Sequence, residues 1–126
     1  MSQKDKRFVI QEHTESKDIH WDLMLETGGT LQTYRLEKPP EKVLREPVNA
    51  VKIFDHPLKF LTYEGPVNEG RGSVRIIEAS TYEITHQERK QIELSLSGKI
   101  LKGNFMLTHI KEDNWRFAKN SPFQDD

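Results

Sequence analysis

The chain has 126 residues, carries a formal net charge of −1 and contains no cysteine. That excludes disulfides, thiolate zinc sites and a cysteine nucleophile, and it leaves no global charge to draw the protein to nucleic acid. The length predicts a single domain over 1–126, with an ordered core over about 7–119 and a polar tail over 120–126.

The opening residues, "MSQKDKRFVIQEH", lack the apolar stretch and cleavage site of a signal peptide. No apolar run approaches the ~20 residues that cross a bilayer. Both features predict a soluble, cytoplasmic protein with no membrane partner. "RFVIQ" (7–11) and "HWDLMLE" (20–26) read as strands, and "TGG" (27–29) turns the second into a hairpin partner, "TLQTYRL" (30–36). The prolines of "EKPPEKVLREP" (37–47) predict a loop. "VNAVKIF" (48–54) resumes β character, and "DHPL" (55–58) stops it. "KFLTYEG" (59–65) predicts a short strand, followed by a glycine-punctuated loop over 65–72.

"SVRIIEA" (73–79), "TYEITH" (81–86), "QIELSLS" (91–97), "KILKGNFMLTHI" (99–110) and "NWRFAKN" (114–120) all carry strand propensity, with Gly98 placed for a tight hairpin turn. The one helix candidate is "HQERKQI" (86–92). Trp21, Tyr34, Phe105 and Trp115 are expected in the core. So many short strands predict an all-β fold, either a sandwich or a small closed or nearly closed antiparallel β-barrel with little helix. Closure would remove exposed edges.

Read with period two, His20, Asp22, Met24 and Glu26 share one strand face, while Trp21, Leu23 and Leu25 share the other. An H-x-D pair on a strand sets an imidazole beside a carboxylate, with Cβ atoms about 6–7 Å apart. His13 enters from the end of the preceding strand, across a polar loop. Two histidines and one carboxylate leave positions open for water and substrate, and they suit manganese, iron or zinc better than magnesium or calcium. The plain alternative is a solvated face of an edge strand. His56 is the second candidate: Asp55 is placed to orient it and Pro57 to fix the chain, so it would bind phosphate or transfer a proton. The alternative is a histidine in a simple turn. "NEGRGS" (68–73) lacks the spacing of a phosphate-cradling loop, although Arg71 within it has the reach for a phosphate. His86 and His109 read as structural.

The blocks "RFVIQEH", "HWDLMLE" and "AVKIFDHPLKFLTYEG", followed by "LKGNFMLTHI" and "WRFAKN", resemble in order the 3′-phosphoesterase domain of bacterial DNA ligase D, which also occurs as a stand-alone protein. The family pattern runs R-F-V-V-Q-x-H, H-Y-D-F-R-L-E and V-x-D-H-P-L-x-Y-x-x-F-E-G. The resemblance implies a compact β-barrel and manganese-dependent removal of 3′-terminal phosphate or ribonucleotide blocks from DNA or RNA ends in repair. A DNA ligase or polymerase is the candidate partner, and zinc is an alternative metal. It assigns the metal to His13, His20 and Asp22 and phosphate contact to His56, and Lys38 matches a family lysine loosely.

Three departures stand out. The segment between the metal histidines is one residue longer, Met24 replaces an arginine, and Phe60 replaces a tyrosine. Loss of one charged hydrogen bond costs about 1.5–3 kcal/mol, or roughly ten- to a hundredfold in rate. Arg35 and Arg71 are candidates to compensate. Two other readings follow: a module that keeps the metal but only binds nucleic acid ends or a repair partner, and an iron oxygenase. The oxygenase would use His20, Asp22 and either His86 or His109, with Arg116 holding an oxo-acid, and it requires one of those two histidines beside Asp22.

Overall fold

The computed structural model describes residues 6–120, so the tail expected over 120–126 lies outside the described residues beyond Asn120. Nine strands appear among them: β1 Lys6–Glu15, β2 Asp18–Thr27, β3 Thr30–Leu36, β4 Val48–His56, β5 Gly65–Val67, β6 Gly72–Glu88, β7 Gln91–Ser97, β8 Lys102–Lys111 and β9 Asn114–Lys119. Two short 3₁₀ turns, Pro40–Leu44 and Leu58–Leu61, are the helical segments. No helix among the described residues is long and apolar enough to cross a membrane.

The strands pair in the order β1-β2-β3-β4-β9-β8-β7-β6, and β6 pairs back onto β1, which closes an eight-stranded antiparallel barrel. β5 is the ninth strand, laid along the start of β6. Closure gives each barrel strand two partners, as the strand-rich sequence requires.

Side-chain alternation fills the inside with Phe8, Ile10, Leu23, Leu25, Tyr34, Leu36, Leu94, Phe105, Leu107 and Phe117, among others, with Trp21 and Trp115 packed at its margin. The runs Phe8–Val9–Ile10 and Leu23–Met24–Leu25 do not alternate, because both faces of the wall are covered there. Val9, Met24 and Leu31 point outward into a second, smaller cluster with Leu61, flanked by Phe60 and Ile76. The segment 58–67 lies across the outer wall and forms that cover.

Several local expectations are corrected. "KFLTYEG" is not a strand but the 3₁₀ turn Leu58–Leu61 followed by an irregular stretch leading to β5. The Gln11 Nε2 amide tethers it by donating to the carbonyls of Phe60 (3.0 Å) and Tyr63 (2.9 Å), in place of a sheet ladder. The helix candidate at 86–92 is the tip of the β6–β7 hairpin, since its charges supply no apolar stripe to dock a helix. The two strands read over 73–86 are one 17-residue strand. The polar loop between His13 and His20 is a tight hairpin, with Ser16 in the left-handed region at φ 59°. Gly98 opens a longer link, Gly98–Leu101, instead of a tight turn.

Burial of Tyr34 among apolar neighbours pushes its phenol pKa up to about 12. The folded state therefore keeps that proton where the unfolded chain, titrating near pH 10, has lost it. Its contribution to stability is complete below pH 10 and declines as pH rises toward 12. Denaturant titrations are expected to lose about 2–3 kcal/mol over that window, and the component should vanish in Tyr34→Phe.

Candidate functional site

The outer wall carries a cavity of about 370 Å³, floored by Met24 and Phe60 and lined by His13, His20, Asp22, Arg35 and His56. Strand register places these groups. His13 and His20 are direct cross-strand partners in the β1–β2 hairpin, with ring centroids 4.5 Å apart. Asp22 follows His20 on the same face, and Arg35 faces Asp22 across the β2–β3 ladder. The tight hairpin between the two histidines lets both rings meet.

His13, His20 and Asp22 each offer one ligand atom, and these atoms lie within 4.8 Å of one another. The Nε2 atoms of both histidines are buried and have no hydrogen-bond partner. Asp22 is 2% exposed. Its Oδ1 accepts from Arg35 Nε at 3.1 Å, and its Oδ2 lies 3.8 Å from His20 Nε2. Burial, opposed by Asp22, lowers the pKa of His20, which keeps an imidazole lone pair available near neutrality. Gly72 makes the space: a Cβ there would stand 2.9 Å from His13 Nε2. Two orphaned imidazole nitrogens converging with a buried carboxylate are the donor set of a borderline divalent cation, so the residues fit a metal of that class.

His56 reaches the same cavity through a bulge in β4. Thr33 pairs with Ile53 but Leu31 pairs with His56, so Phe54 and Asp55 occupy the place of one residue. His56 Nδ1 lies 3.1 Å from the Phe54 carbonyl, which can only accept, so the ring proton sits on Nδ1. Thr33 Oγ1, at 2.9 Å, steadies the same edge while donating to the Leu31 carbonyl. That leaves Nε2 as the uncommitted ring nitrogen. Burial lowers the pKa of His56, an effect the charge of Asp22 opposes.

The other sequence candidates lie elsewhere. Lys38 pairs with Glu46 at 3.0 Å in an exposed bridge and does not line the cavity. Arg71 is held in the turn before β6, its N–H donating to the Asn68 carbonyl, and it does not line the cavity either. Asp55 bridges to Lys52 at 3.7 Å and not to the His56 ring. His86 bonds Glu88, and His109 bonds the Glu112 carbonyl; neither is beside Asp22, which removes the geometry an iron oxygenase needed. Gln11 and Thr33 were not singled out from sequence. Gln11 shares strand parity with His13 and stands at the glutamine of the R-F-V-V-Q-x-H block, the two signals that point to it, and its Oε1 is buried without a partner in the same cavity.

Met24 and Phe60 belong to one apolar cluster. They form the floor of the cavity together, and the guanidinium beside Asp22 comes from Arg35 on the neighbouring strand.

Residues 11–109 match the DNA Ligase D 3′-phosphoesterase domain. The chain is 28% identical over 123 residues to the multifunctional non-homologous end joining protein LigD of Mycolicibacterium smegmatis, covering 86% of this chain and 16% of that protein. It is 30% identical over 115 residues to the multifunctional non-homologous end joining DNA repair protein LigD of Mycobacterium tuberculosis, covering 86% and 15%. It is 27% identical over 125 residues to the LigD protein of Pseudomonas aeruginosa, covering 90% and 15%. The chain thus spans about 15% of the length of these relatives. With the matched segment running from Gln11 to His109 and so containing the whole convergent cavity, this chain belongs to the DNA Ligase D 3′-phosphoesterase domain family.

Proposed function

We propose that the chain, as one domain with its core over 7–119, is a manganese-dependent phosphoesterase that removes 3′-terminal phosphate or ribonucleotide blocks from DNA or RNA ends during repair. The single observation that carries this reading is the convergence of His13, His20 and Asp22 in a cavity that His56 and Arg35 also line. His13, His20 and Asp22 would hold the cation, which supplies Lewis-acid polarisation of a phosphoryl oxygen. The mixed nitrogen and oxygen donor set suits manganese, iron or zinc, and the family resemblance points to manganese, with zinc the alternative.

The chain's own groups divide the remaining work. Arg35 spends one N–H on Asp22 and keeps its terminal nitrogens for phosphate oxygens, in place of the family arginine that Met24 has replaced. With Nδ1–H fixed by the Phe54 carbonyl, His56 exchanges protons at Nε2 alone. A phosphate dianion beside it favours the protonated ring over the effect of burial, so Nε2–H is delivered to the leaving 3′ oxygen. Gln11 Oε1 is an acceptor within the cavity and suits the orientation of the attacking water.

The relatives are named as end-joining repair proteins, which supports nucleic acid ends as substrate and a ligase or polymerase as the neighbouring activity. The test is incubation of purified protein with a 3′-phosphorylated oligonucleotide and manganese. Inorganic phosphate should appear, and chelation should stop it. Tight binding of the 3′-phosphate end without turnover would instead identify an end-binding module.

A further inference from the structure

We propose that Phe54 is a stacking platform for the nucleobase of the 3′-terminal nucleotide. The inference rests on the phosphoesterase reading above and adds how the nucleoside is gripped. Phe54 is 74% exposed, the most exposed of the large apolar side chains described. A lone exposed phenylalanine is ordinary, but this one lies parallel to the His56 ring, with centroids 4.7 Å apart and planes 13° apart, and it lines the same cavity. One face of the ring is thus covered by the histidine and the other is left to solvent.

Two further features fit a base and not a protein partner. The bulge that aims His56 also sets Phe54, so the platform and the phosphate-side histidine are fixed relative to each other by one backbone irregularity. In a nucleotide the base is one sugar away from its 3′ phosphate, and here the free aromatic face is one ring away from the histidine. Beyond His56, Phe60 and Tyr63 continue the aromatic series edge to face, and the Lys59 ammonium stands 5.5 Å from the Phe60 centroid, supplying positive charge beside the track. Aromatic faces in line with cations are the elements of single-strand recognition, and they accept any base because each has a π face.

The test compares a single-stranded 3′-phosphorylated oligonucleotide with the same oligonucleotide bearing an abasic terminal nucleotide. Wild-type protein should prefer the base-bearing end in kcat/KM by about 5- to 150-fold, the range of one base–aromatic stack, with most of the difference in KM. Phe54→Ala should collapse that preference toward one, and Phe54→Trp should keep it. Fluorescence anisotropy with labelled oligonucleotides should show the same pattern in Kd. A preference that survives Phe54→Ala, or a wild type that turns over both ends equally, overturns the proposal. If neither oligonucleotide is hydrolysed, the phosphoesterase reading fails, while the anisotropy preference and its dependence on Phe54 still decide this one.

Discussion

Asp22→Asn is expected to lower manganese affinity by at least about 100-fold and to reduce phosphate release to the background of the uncatalysed reaction. Loss of a partner that merely orients a metal ligand costs roughly 10- to 100-fold, and Asp22 stands in the donor group itself. Asparagine keeps the shape and an acceptor for Arg35 Nε, so the β2–β3 contact survives and the fold is retained. The anionic charge facing the two imidazoles disappears. Titration calorimetry with manganese and a phosphate-release assay measure the two effects, and circular dichroism checks that folding is unchanged. Activity within a few-fold of wild type would mean that the convergence of these three side chains is not the reaction centre.

Glu78→Ala is expected to be the most destabilising single change outside the apolar core. Glu78 is 5% exposed and lies opposite Ile10 in the β1–β6 ladder, so it shares that residue's inward face. Its Oε1 accepts from the Lys99 N–H at 3.0 Å, and its Oε2 accepts from those of Ile100 and Leu101 at 2.8 and 2.7 Å. Gly98 sits directly against the carboxylate, where no Cβ fits. One side chain therefore serves the whole β7–β8 link. Alanine leaves three buried or half-buried donors unpaired and an opening at the end of the barrel, at a cost of about 3–5 kcal/mol. That corresponds to a fall in Tm on the order of 10–20 °C. Glu78→Gln keeps one acceptor oxygen and should lie between the two. A Tm shift of only one or two degrees in Glu78→Ala would show that water replaces the carboxylate.

Local pattern carried a good part of the site. The H-x-D alternation placed His20 and Asp22 on one face because strand periodicity fixes it, and the D-H-P-L block marked His56. Lys38, matched loosely by the family resemblance, and Arg71, a candidate on reach, do not line the cavity: one pairs with Glu46 and the other sits in the turn before β6. Arg35 was the candidate whose direction depended on hairpin register, since a slip of one residue would have turned it into the barrel interior. Its pairing with Asp22 resolves that. The Met24 and Phe60 replacements look unrelated in sequence, 36 positions apart, yet they pack into one cluster because the 58–67 segment folds back over the outer wall.

By itself, then, the sequence determined the β character, the inward and outward faces of the strands, the lack of any thiol chemistry and the types of group available for a metal and a phosphate, all of which follow from composition and a two-residue period. The tertiary structure alone decided which of those groups share a cavity. Register across the β1–β2 and β2–β3 ladders brings His13 to His20 and Arg35 to Asp22, and one bulge in β4 turns His56 and Phe54 toward them. Those are pairings between strands, set by turn geometry, closure of the barrel and burial of its core, and the alternation within a single strand does not fix them.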